Sequence, residues 1–175
     1  MILSLALLLC FMFSCQDKEA MAELEKYRAK AKIEEKNKEI VRRTNEVWSK
    51  GSLAAVNELY APEFVAHFGS NPKTLRLEEY KSTILEARTA IPDLKEDIEQ
   101  IIADGDFVVT RFSTSGTFTG TFMGVAFKDL KLQGYEGIAI HHIVNAKIVE
   151  QWAIEDALGL MQQLGMELKP KEGKK

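Results

Sequence analysis

Cysteine, histidine and long apolar segments are all scarce in this sequence of 175 residues. The two cysteines, Cys10 and Cys15, lie near the amino terminus, so the rest of the chain has no thiol for a disulfide, a zinc-thiolate site or a nucleophile. Two of the three histidines, His141 and His142, are adjacent on a predicted strand and point to opposite faces, which prevents them from sharing a metal ion. We predict no structural metal and no cofactor.

Other features that the sequence lacks exclude further classes of function. The 23 basic residues are balanced by 26 acidic ones without a dense basic block, so nucleic acid is not an expected partner. There is no glycine-rich phosphate loop and no nucleophile elbow, which leaves nucleotide binding and serine hydrolase chemistry without support. Hydrophobic residues make up 46% of the chain, enough for one core of ordinary size, so we expect one domain.

An uncharged apolar run occupies residues 1–13, fewer than the roughly 20 residues that span a bilayer, which is typical of an export signal. Ser14-Cys15-Gln16-Asp17 follows and resembles the cleavage box of bacterial lipoproteins. The resemblance implies a signal segment over residues 1–15 and an acylated Cys15. We therefore expect an exported protein on the periplasmic side of the envelope or at the outer membrane, bound to the membrane through its lipid anchor only. The alternative is a plain signal peptide or an anchoring helix in which Cys15 has no role.

Residues 16–36 are rich in Glu, Lys and Ala but lack a wide apolar stripe, which predicts a charged, solvated helical stalk. Apolar residues then recur at helical spacing from Ile40 to Trp48, so the same helix is expected to enter the core and to end before Gly51. Ser52 is a candidate cap for a short second helix.

A strand over residues 64–68 is expected next, followed by a third helix with Thr74 as its cap and Leu85 on its apolar face. The hydrophobic period then changes from about 3.6 to 2, which is typical of strands. The later predicted strands are 98–103, 107–119, 131–144 and 147–155. This order favours an α+β fold, with the early helices packed on a curved antiparallel sheet over residues 37–167 and a disordered tail over residues 168–175.

Two motifs resemble a known family. GTFTGTFMG at residues 116–124 resembles GTHTGxFMG, and KIVEQWAIEDALGLMQQLG at residues 147–165 resembles GKIxExWxxxDxLGLxxQLG. Both patterns belong to the SnoaL-like polyketide or ester cyclases of the nuclear transport factor 2 superfamily. The resemblance implies a cone-shaped shell of sheet and helices around a small-molecule pocket, often in a dimer.

The resemblance also implies a reaction. In these cyclases a carboxyl group transfers the proton that drives an intramolecular aldol closure, and polar partners hold the developing enolate. The family's acid/base aspartate falls at Ala153, and its polar partners fall at Ala66, Gly137 and Ala139. An alanine cannot transfer a proton, so we expect aldol chemistry to be absent and the pocket to remain.

Strand alternation assigns residues to the pocket wall. If Ala139 and Ala153 face inward, then His141, Gln151 and Glu155 share their face. The sheet's other face then carries His142, Ile148, Trp152 and Ile154. So much apolar surface predicts a cover, such as a second copy of the chain in a homodimer.

The candidate catalytic residues are His141, Glu155 and His67, because a histidine paired with Glu155 could act as a base with its orienting carboxylate. The alternative is that each histidine only satisfies backbone groups at a strand end. The candidate ligand-binding residues are Tyr60, Phe64, Tyr80, Phe118, Gln151 and Asp156. The aromatic residues among them can equally be core. Asp156 can equally cap a short last helix, which is predicted over residues 157–164.

Three functions follow from these features. The first is an envelope domain that binds a mostly apolar small molecule, with His141 and Gln151 fixing its orientation. The second is an enzyme of cyclase or isomerase type that uses His67, His141 or Glu155. The third is an interaction protein whose outer sheet face around Trp152 docks on an envelope partner.

Overall fold

The computed structural model describes residues 2–69, 74–167 and 169. Its helices are α1 (Ile2–Arg42), α2 (Thr44–Lys50), α3 (Leu53–Leu59), α4 (Leu77–Ala90) and α5 (Ala157–Gln163). Its strands are β1 (Tyr60–Phe68), β2 (Thr74–Arg76), β3 (Lys95–Asp104), β4 (Phe107–Phe118), β5 (Thr121–Phe122), β6 (Val125–Ala126), β7 (Leu130–Val144) and β8 (Lys147–Glu155). The predicted α+β order is confirmed.

Six of these strands form one open sheet in the order β2-β1-β8-β7-β4-β3. Neighbouring strands are antiparallel except β1 and β8, which pair in parallel. The sheet is therefore mixed, whereas the sequence predicted an antiparallel one. Residues 69–146 separate β1 from β8 in the chain, so no local turn signal could reveal their pairing.

Helix α1 passes through the predicted stalk into the fold. The side chains from Lys18 to Ile33 are exposed, and Asn37 is the first buried one, with Nδ2 donating a hydrogen bond of 2.9 Å to the carbonyl of Gly105. The helix was expected to continue to Gly51, but it breaks at Arg43 before α2 begins. A hydrogen bond from a Thr side chain to the preceding turn, here from Thr44 to Val41 at 2.7 Å, is a known cause of such bends.

No helix among the described residues is both long and apolar enough to cross a membrane. The side chain of Cys15 lies outside the described residues, and so does the predicted tail over residues 168–175 apart from Lys169. The lipid anchor and the disordered tail therefore stay predictions.

The next two helices begin at different kinds of cap. Ser52 accepts a hydrogen bond from the amide of Ala55 at 3.2 Å, so it caps α3 as predicted. Thr74 was expected to cap α4, but it lies in β2, and Arg76 occupies the cap position instead. Leu85 is 47% exposed and does not belong to the buried face of α4.

A β-bulge in β8 changes the face of one predicted residue. Pairing shifts from His142 opposite Glu150 to Ile143 opposite Ile148, which leaves Val149 as the extra residue. Ile148 was expected to face outward, but the bulge turns it inward and it is fully buried. Residues beyond the bulge keep the predicted alternation, because Ala153 lies opposite Ala139 with both buried.

The interior contains two main hydrophobic clusters. The first packs α2, α3 and α4 against β1 and β8, and it includes Val47, Tyr60, Phe64, Tyr80 and Ile148. The second joins the end of α4 to β4, β7 and α5, and it includes Ile91, Leu94, Phe118, Leu132 and Leu160. The second cluster supplies much of the wall of the cavity described next.

Candidate functional site

A cavity of about 570 Å³ lies between the sheet, α2, α4 and α5. Its wall is mostly apolar, and the side chains that form it are Trp48, Phe68, Leu75, Thr83, Ala87, Ile91, Leu94, Glu96, Phe112, Thr114, Phe118, Phe122, Met123, Leu132, Tyr135, Glu155 and Leu160. Three of these groups are ionisable: Glu96, Tyr135 and Glu155. The volume is within the usual range for small-molecule sites, about 300 to 1,000 Å³.

A second, polar chamber of about 20 Å³ lies beside this cavity. The two spaces share five wall residues: Trp48, Phe68, Glu96, Phe112 and Glu155. The remaining wall of the chamber includes His141 and Gln151. Space of this size, about one water molecule, suits a single polar group.

His141 is 4% exposed and has one nitrogen without a partner. Its Nε2 lies 3.4 Å from the hydroxyl of Thr110, while Nδ1 has no hydrogen-bond partner in the described part of the chain. Burial lowers the pKa of His141 to about 4, because a charged imidazole is poorly solvated there. The neutral ring is thus an orienting group more than a proton acceptor at pH 7.

Gln151 is held by a hydrogen-bonded group of aromatic side chains. The hydroxyl of Tyr80 lies 3.4 Å from Gln151 Oε1, 3.3 Å from the hydroxyl of Tyr60 and 3.1 Å from Nε1 of Trp48, which donates to it. Burial raises the pKa of Tyr80 and of Tyr60 well above the usual range, so both phenols stay neutral. The network fixes the Gln151 amide at the chamber.

Glu96 lies in the walls of both spaces, and its main chain is anchored by α2. Its amide donates to Oγ of Ser49 at 2.9 Å, and its carbonyl accepts from Nδ2 of Asn45. In the described part of the chain, its carboxyl group has no hydrogen-bond partner. Burial, and then the charges of Glu155 and Asp97, raise the pKa of Glu96 to about 8. At neutral pH Glu96 is therefore mostly a carboxylic acid.

Glu155 has a partner that Glu96 lacks. The hydroxyl of Tyr135 donates a hydrogen bond of 2.6 Å to Oε2 of Glu155. Burial raises the pKa of Glu155, and the hydrogen bond from Tyr135 opposes that rise by stabilising the carboxylate. Glu155 is more exposed than Glu96, in keeping with a position nearer to solvent.

The strand register explains how these groups come to one wall. Glu96, Thr114 and Tyr135 occupy one row across β3, β4 and β7. Gly137 is two residues from Tyr135 on the same face, and it pairs with Glu155 on β8. The carboxyl groups thus come from strands separated by β4 and β7, and the hollow of the sheet lies between them.

The position expected to hold the family aspartate carries no carboxyl group of its own. Ala153 is 3% exposed and lies opposite Ala139, and Ala66 is fully buried nearby on β1. A side chain at Gly137 would meet the ring of Phe112 at 2.4 Å, so Phe112 occupies the space there. The inner wall is therefore built from small residues and a phenyl ring.

One candidate catalytic residue lies on the opposite face. His67 was expected to point inward, but Phe64 and Ala66 take the inner face of β1 and alternation turns His67 outward. There its Nε2 lies 2.8 Å from Oε1 of Glu150, and its ring stacks on Trp152 with centroids 5.5 Å apart. His67 and His141 are thus on opposite sides of the sheet, and neither forms the expected pair with Glu155.

The candidate ligand-binding residues divide into three groups. Phe118 lines the large cavity, and Gln151 and Tyr60 line the polar chamber. Phe64 and Tyr80 are fully buried in the first hydrophobic cluster and belong to the core. The carboxylate of Asp156 caps α5 by accepting from the amide of Gly159 at 2.9 Å, and it borders a groove on the outer face. Their roles in binding stay predictions.

Sequence reasoning missed Glu96 and Tyr135. The predicted strand began at Ile98, so Glu96 was never assigned to a face, although it is two residues away on the same strand. Tyr135 is likewise two residues before Gly137 on the inner face of β7. Continuing the inward-facing positions by one more step of two residues, from Ile98 to Glu96 and from Gly137 to Tyr135, would have found both residues.

Metal ligation has no support in the described residues. They contain no group of three or more His, Cys, Asp or Glu side chains placed to hold an ion. The two carboxyl groups of the cavity are the acidic groups available for chemistry at this site.

Comparisons with known proteins agree with this architecture. A family model described as SnoaL-like polyketide cyclase matches residues 38–164. IdmH from Streptomyces antibioticus, proposed to be a polyketide cyclase, is 25% identical, with a TM-score of 0.66 over 74% of this chain and 99% of that one. A protein from Acidithiobacillus ferrooxidans, also proposed to be a polyketide cyclase, is 30% identical, with a TM-score of 0.66 over 74% and 94% of the two chains.

A third solved structure supports the fold alone. AclR from Streptomyces galilaeus, proposed to be a hydroxylase, is 22% identical, with a TM-score of 0.69 over 75% of this chain and 97% of that one. No curated protein matches the chain. The family model covers most of the sequence, and the neighbours share its cone of helices and sheet. The chain therefore belongs to the SnoaL-like polyketide cyclase family.

Proposed function

We propose that this protein binds a small, mostly apolar molecule in the 570 Å³ cavity. The observation that carries the proposal is the composition of the wall, which is apolar over most of its area and has its ionisable groups confined to Glu96, Tyr135 and Glu155. Such a site gains affinity from apolar contact and specificity from a few polar groups. A flat aromatic or alicyclic molecule with one or two oxygen atoms fits this chemistry.

The polar chamber supplies the orientation. His141 offers an unpartnered Nδ1 and Gln151 offers an amide held by Tyr80, so an oxygen atom of the ligand placed there can form hydrogen bonds in a dry environment. Ala153 stands where the family resemblance places the acid/base aspartate, and we propose that the family's aldol chemistry is lost with that aspartate. The apolar cavity does not depend on it.

A second candidate function is an enzyme of cyclase or isomerase type. One observation favours it: Glu155 lies on the same strand as Ala153, two residues away, and its carboxylate lines the cavity. His67 faces away from the cavity, and His141 is neutral at pH 7. Of the three groups considered from the sequence, Glu155 is the one whose side chain lines the cavity, which supports it as the proton-transfer group.

We propose that the protein works at the cell envelope, with Cys15 acylated and residues 16–36 serving as a stalk. The exposed, charged side chains from Lys18 to Ile33 support a spacer between a membrane surface and the domain. Metabolic labelling with an alkyne-tagged palmitate tests this placement. A Cys15→Ser variant is expected to lose the label and leave the membrane fraction, and labelling that persists in it would refute the anchor.

We also propose a homodimer through the outer sheet face. Ile138, Ile140 and Ile154 are 52%, 39% and 71% exposed there, beside a groove that includes Trp152. Exposed apolar area of this kind commonly marks an interface. A second copy suits it because Arg111 and Glu136 form an ion pair of 3.3 Å on this face, and a two-fold axis can set the pair of one copy beside that of the other in the opposite orientation.

Binding can be tested with 6-propionyl-2-dimethylaminonaphthalene, a fluorescent aromatic ketone whose emission moves to shorter wavelength in apolar surroundings. Saturable binding with a blue shift is expected. An Ala87→Trp variant places an indole in the cavity and should abolish binding, whereas Leu85→Trp, on the exposed side of the same helix, should not.

Thermal unfolding of both variants checks that each one is folded. Absence of saturable binding to the wild type, or equal binding to the two tryptophan variants, would contradict the proposal.

A further inference from the structure

The cavity contains two carboxyl groups in different surroundings. Glu155 accepts a hydrogen bond from the Tyr135 hydroxyl at 2.6 Å, an arrangement that favours its carboxylate form. The carboxyl group of Glu96 has no hydrogen-bond partner within the described residues, and like Glu155 it lines both the cavity and the chamber. A desolvated carboxyl group without a cationic partner holds its proton. Two carboxyl groups in environments this different can act as a base and an acid at one site.

The main chain that holds this pair is fixed from both sides. Glu96 lies on an edge strand, and Ser49 and Asn45 of α2 bind its amide and carbonyl groups. Glu155 ends β8, directly before the Asp156 cap of α5. Glu155 follows Ala153 by two residues on β8. Because each residue of a strand adds about 3.3 Å, its Cα lies about 7 Å further along the strand than that of Ala153.

We propose that Glu155 and Glu96 form a relocated proton-transfer pair that enolises a bound apolar ketone, with Glu155 as the base and Glu96 as the hydrogen-bond donor to the carbonyl oxygen. This inference rests on the proposed binding function and adds a substrate class to it: a carbonyl compound with an acidic hydrogen on the neighbouring carbon.

The proposed step is a balanced proton transfer. The carboxylate of Glu155 takes a proton from the carbon beside the carbonyl, and the electron pair of that C–H bond forms a C=C bond. The carbonyl π pair moves to oxygen, which takes the proton of Glu96. The enol oxygen then returns the proton to Glu96, and Glu155 gives its proton back to carbon. This reprotonation regenerates the ketone, and it can occur at the original carbon or at a conjugated one. No oxidant, reductant or metal is consumed.

The test uses 2-tetralone, an apolar bicyclic ketone with acidic hydrogens at C1, in deuterated buffer. Displacement of the fluorescent naphthyl ketone measures its binding, and mass spectrometry measures exchange of hydrogen for deuterium. Exchange by the wild type should exceed the buffer rate. Because general base catalysis contributes about 10² to 10⁴ in rate, Glu155→Gln should reduce exchange at least about a hundredfold without abolishing displacement.

The role of Glu96 is tested separately, through the pH dependence of the exchange rate. Apart from Glu96, Tyr135 and Glu155, which line the cavity, the titratable groups that act on the site within the described residues include His141 and Tyr60 of the chamber wall. Asp97 and Tyr80 interact with Glu96, and Asp156 interacts with Tyr135. Exchange by the wild type should fall as the pH rises through about 8, where Glu96 loses its proton. Glu96→Gln should be slower at pH 7 and should lack this fall. Glu86→Gln, on the exposed side of α4, is the matched control and should behave as wild type.

The outcomes separate the two proposals. Displacement by 2-tetralone without exchange above buffer would overturn the proton-transfer pair and leave the binding function intact. Failure of both ketones to bind would overturn the binding function and the pair with it. If Glu155→Gln proves unfolded, Glu155→Asp takes its place, because it keeps the carboxylate on a shorter side chain. Exchange rates equal to wild type in both Glu155→Asp and Glu96→Gln would also refute the pair.

Discussion

The hydroxyl of Tyr135 donates a hydrogen bond of 2.6 Å to Oε2 of Glu155, where β7 and β8 line the cavity. This contact joins a residue that the sequence analysis selected to one that it missed. It gives Glu155 a neutral donor, and the other carboxylate oxygen can face the cavity. The chemical state of the site depends on such contacts more than on residue types alone.

Removal of this donor should change the titration of Glu155. In Tyr135→Phe the carboxylate loses the hydrogen bond that stabilises it, so the pKa of Glu155 is expected to rise above its wild-type value. Carboxyl ¹³C NMR of glutamate-labelled protein measures this directly. Tyr27→Phe, at an exposed position on α1, is the control. An unchanged Glu155 titration in Tyr135→Phe would contradict the assigned hydrogen bond.

Glu96 should make the folded state less stable at alkaline pH. Its folded pKa of about 8 lies above the ordinary value of 4.5, so folding favours the protonated form. Its stabilising contribution is complete below pH 4.5 and is lost as the pH rises through about 8. The free energy of unfolding, from urea titrations at pH 5 and pH 8.5, should fall by an amount on the order of a few kcal/mol.

The Glu96→Gln variant should lack this part of the pH dependence, and Glu86→Gln should retain it. Parallel pH curves for wild type and Glu96→Gln would show that Glu96 titrates at an ordinary pH in the folded protein, contrary to the raised pKa.

Asp156 should stabilise the fold through its cap. Asp156→Ala removes the acceptor for the amide of Gly159 and is expected to cost about 1 kcal/mol of unfolding free energy, whereas Asp156→Asn keeps an acceptor and should cost less. Chemical denaturation of the two variants measures the difference. Equal losses in both would indicate that Asp156 acts through its charge.

The outer sheet face should hold two copies together. Sedimentation velocity is expected to find the wild type as a dimer, and Ile154→Lys should dissociate it by placing a charge in an apolar interface. Leu85→Lys, at an exposed position on α4, should remain dimeric. A wild-type protein that sediments as a monomer at micromolar concentration would refute the dimer and leave this face free for another partner.

The sequence by itself determined most of the local structure. Ser52 was recognised as a helix cap, and β7 and β8 run where period-2 alternation placed them. Alternation also put His141 and Gln151 inside, because both residues follow from the face of their own strand.

Only the tertiary structure decided how these strands and their side chains meet. The bulge at Val149 turned Ile148 inward, and the parallel pairing of β1 with β8 joined segments far apart in the chain. Burial in the cavity wall, and then the charge of Glu155 on a strand far away in the sequence, raise the pKa of Glu96, and the neighbouring Asp97 adds to the rise. Burial and the distance between charges set a pKa, and both quantities exist only once the chain is folded.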